Sequence, residues 1–286
     1  MRFSVFTAST PEWTPAQAAD LLAAQGWDGV EWRITDQEEA PEPGFWVGNR
    51  ATWPLTGLED SLTAIAAVTH GAGLRFSALG GYVRSHDRSN VERMLAATSA
   101  LGAGRVRVTM PGSADGRYRD LFAATRRDLE WAVERAAHFD VSVLIELHHR
   151  TIVPSASAAI RLVEGLDPAR VGIIHDVGNL VIEGYEDYAA AFDMLGEYLA
   201  HVHVKNVAWR PVGQSTVDGR TTWAEEWAPL RDGQADIEAY FRALHAVGYD
   251  AWVTCEDFST TVPLAQRTAD NLAYLTAVEK RTRPGA

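Results

Sequence analysis

Residues 141–147, VSVLIEL, and residues 171–176, VGIIHD, are short runs of branched apolar side chains that each carry an acidic residue at or near the end. Runs of this kind are typical of strands that are covered on both faces, as in parallel sheets. Two similar runs follow, AHVHVKN at 200–206 and AWVTCED at 251–257. The carboxyl ends of parallel strands meet at one edge, so we expect the ionisable side chains of these runs to lie together.

Four further β-rich runs come earlier in the chain: FSVFTAS at 3–9, GVEWRI at 29–34, LRFSAL at 74–79 and RVRVTM at 105–110. Helical patterns separate the eight runs. Alternating strand–helix units at spacings of roughly 30 residues or more predict an α/β fold, a (β/α)8 TIM barrel. No linker interrupts the pattern, and we therefore expect one domain over residues 1–286. An open, doubly wound sheet is the alternative architecture.

Helix boundaries are also marked. The run Thr14-Pro15-Ala16-Gln17 predicts a capping box with proline at the first helical position. Asp236 is placed to cap a later helix that Gly248 ends.

The composition limits the classes of partner. The formal net charge is −12, and the only lysines are Lys205 and Lys280. Binding to duplex nucleic acid is not expected of such an acidic chain, because basic side chains must neutralise phosphates there. Cys255 is the single cysteine, which excludes an intrachain disulfide and favours a reducing cytoplasm. We expect neither a signal peptide nor a membrane span, and assembly into a homo-oligomer is left open.

The residues that end the last four strands form a candidate metal site. Glu146, Asp176, His203 and Glu256 each follow an apolar run, although carboxylates are seldom buried without a partner. Three carboxylates and one imidazole form a hard to borderline ligand set. This set predicts one divalent cation, Mn²⁺ first, with Mg²⁺, Co²⁺ or Zn²⁺ as alternatives. Four satisfied polar groups at the barrel end, without a metal, are the competing interpretation.

Strand alternation sorts the neighbouring side chains. His148 shares a face with Glu146 and is a candidate substrate contact, whereas His149 should face the helices or a loop. His201 lies one layer deeper than His203 and is interpreted as structural. Lys205 is a candidate for binding a substrate oxygen or a carboxylate, with a solvated loop lysine as the alternative.

The segments VLIELHH, IIHDVGN, HVHVKN and VTCEDF, in this order, resemble the xylose isomerase-like barrel superfamily, and within it the sugar phosphate isomerase/epimerase group. GVEWRI and LRDGQADIEAYFRALHAVGYDAW are similar to the same group. The resemblance covers almost the whole chain. It implies a metal held by the four residues named above, with Glu146 and Glu256 as the acid/base pair.

The chain departs from this family at one position. Many members carry histidine three residues after the aspartate of the sixth strand, where this chain has Asn179. That histidine contacts substrate in the ketose epimerases, so we expect a different substrate pose here, with Asn179 as a candidate contact. The endonuclease branch fits less well, because SALGGY and VTMPG lack the histidines that its extra zinc ions need.

Two long connections follow strands and should line the catalytic face. The first runs from Thr35 to about Gly57 and the second from Val207 to about Ala235. Aromatic side chains in them could stack on a sugar, and arginines could bind its oxygens. The candidates are Trp46, Trp53, Trp209, Trp223, Trp227, Arg33 and Arg210.

The shared chemistry of such sites is proton abstraction next to a metal-chelated carbonyl, through an enediolate. We therefore expect an isomerase or epimerase of a carbohydrate or ketose, a small unphosphorylated substrate, since no phosphate-binding glycine loop is present. One alternative is a lyase or dehydratase acting on a keto-inositol or 3-keto-sugar. Another is a non-catalytic sugar-binding barrel.

Overall fold

In a computed structural model, which describes residues 1–285, the chain forms a closed barrel of parallel strands wrapped by helices. The strands are β1 Arg2–Phe6, β2 Gly29–Ile34, β3 Thr52–Trp53, β4 Arg75–Gly81, β5 Arg105–Arg107, β6 Ser142–Glu146, β7 Val171–Asp176, β8 Leu199–Val204, β9 Asn206–Gln214, β10 Thr221–Ala228 and β11 Trp252–Cys255. The helices are α1 Pro15–Gln25, α2 Leu58–Gly71, α3 Arg88–Ala100, α4 Tyr118–Phe139, α5 Ala156–Val163, α6 Val177–Ile182, α7 Tyr188–Leu195, α8 Ile237–Ala246 and α9 Leu264–Thr282.

Eight of the strands close the barrel. Their order is β1, β2, β4, β5, β6, β7, β8 and β11, and β11 pairs with β1 to complete the ring. Every pairing within the ring is parallel. The predicted (β/α)8 architecture is therefore confirmed, and the open doubly wound sheet is excluded. All eight β-rich runs of the sequence contribute a ring strand.

The two long connections differ in structure. Residues 35–57 are mostly irregular and add the short strand β3 beside β2. Residues 206–228 instead form an antiparallel two-stranded ribbon, β9 and β10. Asn206 anchors the base of this ribbon, since its side-chain amide donates to the carbonyl oxygens of Leu230 and Ala235. The ribbon therefore starts from a fixed base at the mouth of the barrel.

The predicted helix caps are present. The Thr14 hydroxyl accepts from the amide of Gln17, while the Gln17 side chain accepts from the amide of Thr14. Asp236 accepts from the amide of Ala239 at 2.8 Å, and Gly248 adopts a left-handed φ of 72° after α8. These caps satisfy backbone groups that helix ends leave unpaired. No helix within residues 1–285 combines the length and apolarity needed to cross a bilayer.

The barrel lumen is polar near the metal-site candidates. Ser4 and Thr254 share a hydrogen bond of 2.7 Å, and Thr254 also contacts His201 Nε2 at 2.8 Å. His201 in turn lies 3.2 Å from a carboxylate oxygen of Glu31. The apolar core lies mainly between the strands and the helices. The ring thus encloses a hydrogen-bonded column of side chains that leads to the carboxyl ends of the strands.

Close packing inside the ring makes Gly80 a sensitive position. A Cβ atom added there would overlap the ring of Phe6, a fully buried side chain that stacks on His203. We expect Gly80→Ala to lower the free energy of unfolding by about 1–3 kcal/mol, the usual cost of overpacking. Urea denaturation followed by circular dichroism measures it. The control is Gly71→Ala at the exposed end of α2, where a Cβ atom meets no neighbour within 4 Å. Equal stability of the two variants would contradict the prediction.

Candidate metal centre and cavity

The four predicted metal ligands come from four parallel strands of the ring and lie close together. Glu146 and Asp176 are the last residues of β6 and β7, His203 lies in β8, and Glu256 follows β11 directly. Each of the four is buried. One ligand atom from each lies within 4.8 Å of the others. The structure therefore brings the four side chains together, as the sequence predicts.

His203 occupies the middle of this cluster. Its Nδ1 lies 3.7 Å from Glu146 Oε1, 3.8 Å from Asp176 Oδ2 and 3.9 Å from Glu256 Oε2. These are longer than hydrogen bonds, and His203 Nδ1 is buried without a hydrogen-bond partner. Unpartnered buried donors and acceptors are rare, because each costs desolvation free energy. The convergence of three carboxylates on this nitrogen fits a cation coordinated among them.

Glu31 fixes the other side of the imidazole. His203 Nε2 lies 3.0 Å from Glu31 Oε2, and His201 Nε2 shares the same oxygen. A proton on His203 Nε2 satisfies this contact and leaves the lone pair of Nδ1 directed at the cluster. Histidine ligands of metals characteristically donate their other N–H to a carboxylate in this way. Glu31 therefore holds His203 with Nδ1 turned toward the cluster.

The charge of the cluster also fits a divalent cation. Glu31, Glu146, Asp176 and Glu256 are four buried carboxylates, and within residues 1–285 two permanent cations contact them. Lys205 Nζ lies 2.7 Å from Asp176 Oδ2 and also contacts Glu256, while Arg107 Nη1 lies 2.5 Å from Glu146 Oε2. Two negative charges remain uncompensated when the histidines are neutral. One divalent ion would balance them.

Although burial lowers it, contact with Glu31, Glu146 and Glu256 raises the pKa of His203 well above its usual range, so a proton on this imidazole can supply part of the missing positive charge when no metal ion is bound. Burial and the neighbouring Glu146 and Glu256 carboxylates raise the pKa of Asp176 to about 7, against the opposing effect of Lys205. Burial also opposes ionisation of Glu146, but Arg107 and His203 outweigh it and hold that pKa well below its usual range. Asp176 is thus a carboxylate whose charge stays costly in this buried cluster even beside Lys205. A bound metal ion would stabilise that charge further.

A cavity of about 580 Å³ opens above the cluster. Of the four ligand candidates, Glu146 and Glu256 line it, whereas Asp176 and His203 lie beneath. Aromatic rings form part of its wall, with Trp46 and Trp227 both packed against Phe258 at centroid distances of 4.7 and 5.2 Å. The other lining residues are Tyr82, Arg84, Arg107, Val108, Thr109, Met110, Gly112, Asp115, His148, His149, Arg150, Thr151 and Lys205.

The candidate substrate contacts divide into two groups. His148, Lys205, Trp46 and Trp227 line the cavity. Asn179 lies just below its surface, where its amide donates to Glu146 Oε1 at 3.1 Å. Lys205 makes the carboxylate contacts that one of the two interpretations predicts, and the solvated alternative is wrong because the side chain is buried.

The remaining candidates lie outside the residues that line the cavity, and their roles as substrate contacts stay predictions. Arg33 holds the connection 35–57 through Gln37, Thr52 and the carbonyl of Trp46. Trp53 packs edge-on against Trp32.

On the ribbon, the indole of Trp209 donates to Val181 O at 3.0 Å. Arg210 is exposed and lies 3.6 Å from Glu226, while Trp223 is also exposed.

The expected orientation of His149 is wrong. His149 lines the cavity together with His148, and its Nδ1 lies 2.9 Å from Asn179 Oδ1. The reason is that β6 ends at Glu146, so strand alternation no longer governs the residues after it. His201 is structural as predicted, because its hydrogen bonds go to Glu31 and Thr254.

Two residues of the cluster, Arg107 and Glu31, were not predicted to have a role in the site. The sequence did contain a pattern that points to both. Each is an ionisable side chain between apolar neighbours in a β-rich run, Arg107 in RVRVTM and Glu31 in GVEWRI. The same criterion identified the carboxylates at the ends of the later strands.

Comparison with known proteins identifies the family. The family described as xylose isomerase-like TIM barrel matches residues 19–278, which is most of the chain. The chain belongs to this family. Among solved structures, the IOLI protein with a bound zinc atom aligns with a TM-score of 0.74 over 99% of both chains at 15% identity. At 15% sequence identity, this structural similarity shows that the two proteins share a fold and nothing more.

Named relatives are distant. Inosose dehydratase of Lacticaseibacillus casei is 26% identical over 132 residues, 45% of this chain and 44% of the relative. The alignment thus spans less than half the length of that relative. A protein of Escherichia coli (strain K12) with the provisional name L-ribulose-5-phosphate 3-epimerase is 26% identical over 236 residues, 80% of this chain and 78% of its own.

The contact between Glu31 and His203 generates a test. We expect Glu31→Gln to weaken Mn²⁺ binding about 10- to 100-fold, because an amide is a poorer partner for the imidazole N–H than a carboxylate. Isothermal titration of metal-free protein with Mn²⁺ measures the affinity. Glu59→Gln, at an exposed ion pair with Arg93, is the control. Unchanged Mn²⁺ affinity in Glu31→Gln would refute the role given to Glu31.

Proposed function

We propose that the protein is a divalent-metal-dependent isomerase or epimerase that acts on an unphosphorylated sugar or ketose by moving a proton next to a carbonyl. One observation carries this proposal. Of the four clustered ligand candidates, the two that line the cavity are both glutamates, and they come from strands on either side of His203. Two carboxylates that reach one cavity from different sides suit proton removal on one face of a substrate and proton return on the other.

The residues that would hold the metal are Glu146, Asp176, His203 and Glu256. A divalent cation bound there would polarise a carbonyl oxygen and stabilise negative charge that develops on it. The oxygen-rich ligand set favours Mn²⁺, with Mg²⁺, Co²⁺ and Zn²⁺ as alternatives.

The side chains of the chain itself supply the proton transfer. Glu146 is held ionised by Arg107 and is oriented by the amide of Asn179, so it is a preformed base. Glu256, on the other side, contacts the Lys205 ammonium and can carry a proton to or from the substrate. Lys205 and His148 line the same cavity and would bind substrate oxygens.

The cavity wall suits a carbohydrate. Trp46, Trp227 and Phe258 present aromatic faces, which pack well on the C–H face of a sugar ring. Arg84 and Arg150 at the wall pair with Asp115 and Glu225. Because these two arginines already have carboxylate partners, neither is free to bind a phosphate group, and we propose an unphosphorylated substrate.

Dehydration of a keto-inositol or 3-keto-sugar is the second candidate function. Its specific support is the partial match to inosose dehydratase, whereas the longer match, to the protein provisionally named as an epimerase, supports the first. Both reactions begin with the same proton abstraction. They differ in whether the proton returns or a β-hydroxyl group leaves.

Mass and isotope content separate these candidates. We expect protein loaded with Mn²⁺ to convert a member of a panel of ketohexoses, 3-keto-glucosides and 2-keto-inositol to an isomer, with deuterium incorporated from D₂O. Mass spectrometry and NMR read both changes. Loss of 18 mass units would instead establish the dehydratase. Full turnover after exhaustive chelation with EDTA would refute metal dependence, and binding of panel sugars without any exchange would favour a sugar-binding barrel.

The acid/base role of Glu256 has its own test. We expect Glu256→Gln to lower turnover by at least about 100-fold, since general acid–base groups contribute about 10²- to 10⁴-fold. The thermal unfolding temperature with Mn²⁺ present checks that the variant is folded and can bind metal. Exposed Glu226→Gln, on the ribbon, is the control. Near-normal deuterium exchange in the metal-loaded Glu256→Gln variant would remove Glu256 from the proposed role.

A further inference from the structure

Arg107 is a buried guanidinium to which the proposed reaction assigns no contact with the substrate. It ends β5, points into the barrel and is 4% exposed. Its Nε donates to the carbonyl oxygen of Gly81 at 3.1 Å, and its Nη1 donates to Glu146 Oε2 at 2.5 Å. Tyr82 and Phe6 lie against it, with ring centroids 4.5 and 5.1 Å from the guanidinium carbon. These contacts fix the position and the plane of the group.

Three N–H donors of this guanidinium are unused. Arginine carries five N–H donors, and the hydrogen bonds to Gly81 and Glu146 account for two of them. Nη2 has no hydrogen bond to the residues that the structure describes, and Arg107 lines the cavity. Nη2 is also not among the buried atoms that lack a partner, so its N–H groups open to the cavity. These donors are therefore placed to bind oxygen atoms there.

The same side chain decides which oxygen of Glu146 faces the metal-site candidates. Oε2 is held by Arg107, which leaves Oε1 beside Asn179 and 3.7 Å from His203 Nδ1. Without this contact the carboxylate could rotate or turn both oxygens towards a metal. Arg107 thus restrains the proposed base while its remaining donors face the space above.

We infer that Arg107 is a positioning residue for Glu146 and a specificity-determining contact that binds a pair of vicinal substrate oxygens, as in an α-hydroxy carbonyl compound. The inference deepens the proposed function and rests on it for the identity of the reaction. A planar guanidinium presents parallel N–H groups that match two adjacent oxygens, whereas a lysine ammonium offers only a point charge. A guanidinium that served Glu146 only as a counter-ion would be replaceable by lysine.

Glycolate is a suitable probe, because it carries adjacent hydroxyl and carboxylate oxygens and needs no turnover. We expect it to bind the Mn²⁺-loaded protein, and we expect Arg107→Lys to weaken that binding about 10- to 100-fold, the range for charge-assisted hydrogen bonds. Isothermal titration measures glycolate affinity, and EPR of free Mn²⁺ checks that the metal site stays filled. Arg105→Lys is the matched control, since Arg105 lies on the same strand and lines a cavity that Arg107 does not.

Equal glycolate affinity in the Arg107→Lys and unmodified proteins would overturn the inference, as would absence of glycolate binding to the unmodified, Mn²⁺-loaded protein. If Arg107→Lys fails to fold, Arg107→Gln keeps the test open, with guanidinium chloride added at low concentration. Recovery of glycolate binding with guanidinium, but not with ammonium, supports the inference, and no recovery with either opposes it.

Measurements of kcat and KM distinguish a failure of this inference from a failure of the proposed function. On a panel sugar that the protein converts, we expect Arg107→Lys to raise KM and to lower kcat, because both substrate binding and the orientation of Glu146 suffer. A change in neither value would overturn the inference while leaving the proposed function intact. If no panel sugar reacts but glycolate binding still depends on Arg107, the proposed function fails and the binding site stands.

Discussion

The structure depends on a balance of charge inside a closed ring of strands. Four carboxylates are buried at one end of the barrel, where each would be costly alone. Lys205 and Arg107 contact them from neighbouring strands, and Glu31 contacts two histidines. These contacts leave the cluster short of positive charge. The fold is thus built around a position that a divalent cation would complete, and two of the clustered glutamates, Glu146 and Glu256, line the cavity above it.

The ring strands and the four ligand candidates could be predicted because each depends on a short stretch of sequence. The apolar runs predicted the eight ring strands, and the residues at or near their ends predicted the cluster of Glu146, Asp176, His203 and Glu256. Parallel strands in a closed ring end at one mouth, so residue type and position along the strand were enough. The capping box at Thr14 followed from spacing in the same way.

The contacts that the sequence did not reveal join side chains from different strands. Glu31 and His203 are 172 residues apart and meet across the lumen, and Arg107 reaches Glu146 from the neighbouring strand. Neither pairing follows from the spacing of residues within a strand. His149 was misplaced for a different reason, since the rule of alternation stops where β6 stops. Residues of the two long connections, such as Trp53 and Arg210, illustrate that a position near the mouth does not fix the direction of a side chain.

The ribbon of β9 and β10 contributes to the entrance of the cavity but not to the charged cluster below it. Its base is tied to the barrel through Asn206, and Trp227 on its second strand reaches the cavity wall. Its outer part is exposed, and the ring strands do not rely on it for pairing. Substitutions in the outer part of this hairpin should therefore change the entrance to the cavity while leaving the ring strands and the charged cluster as they are.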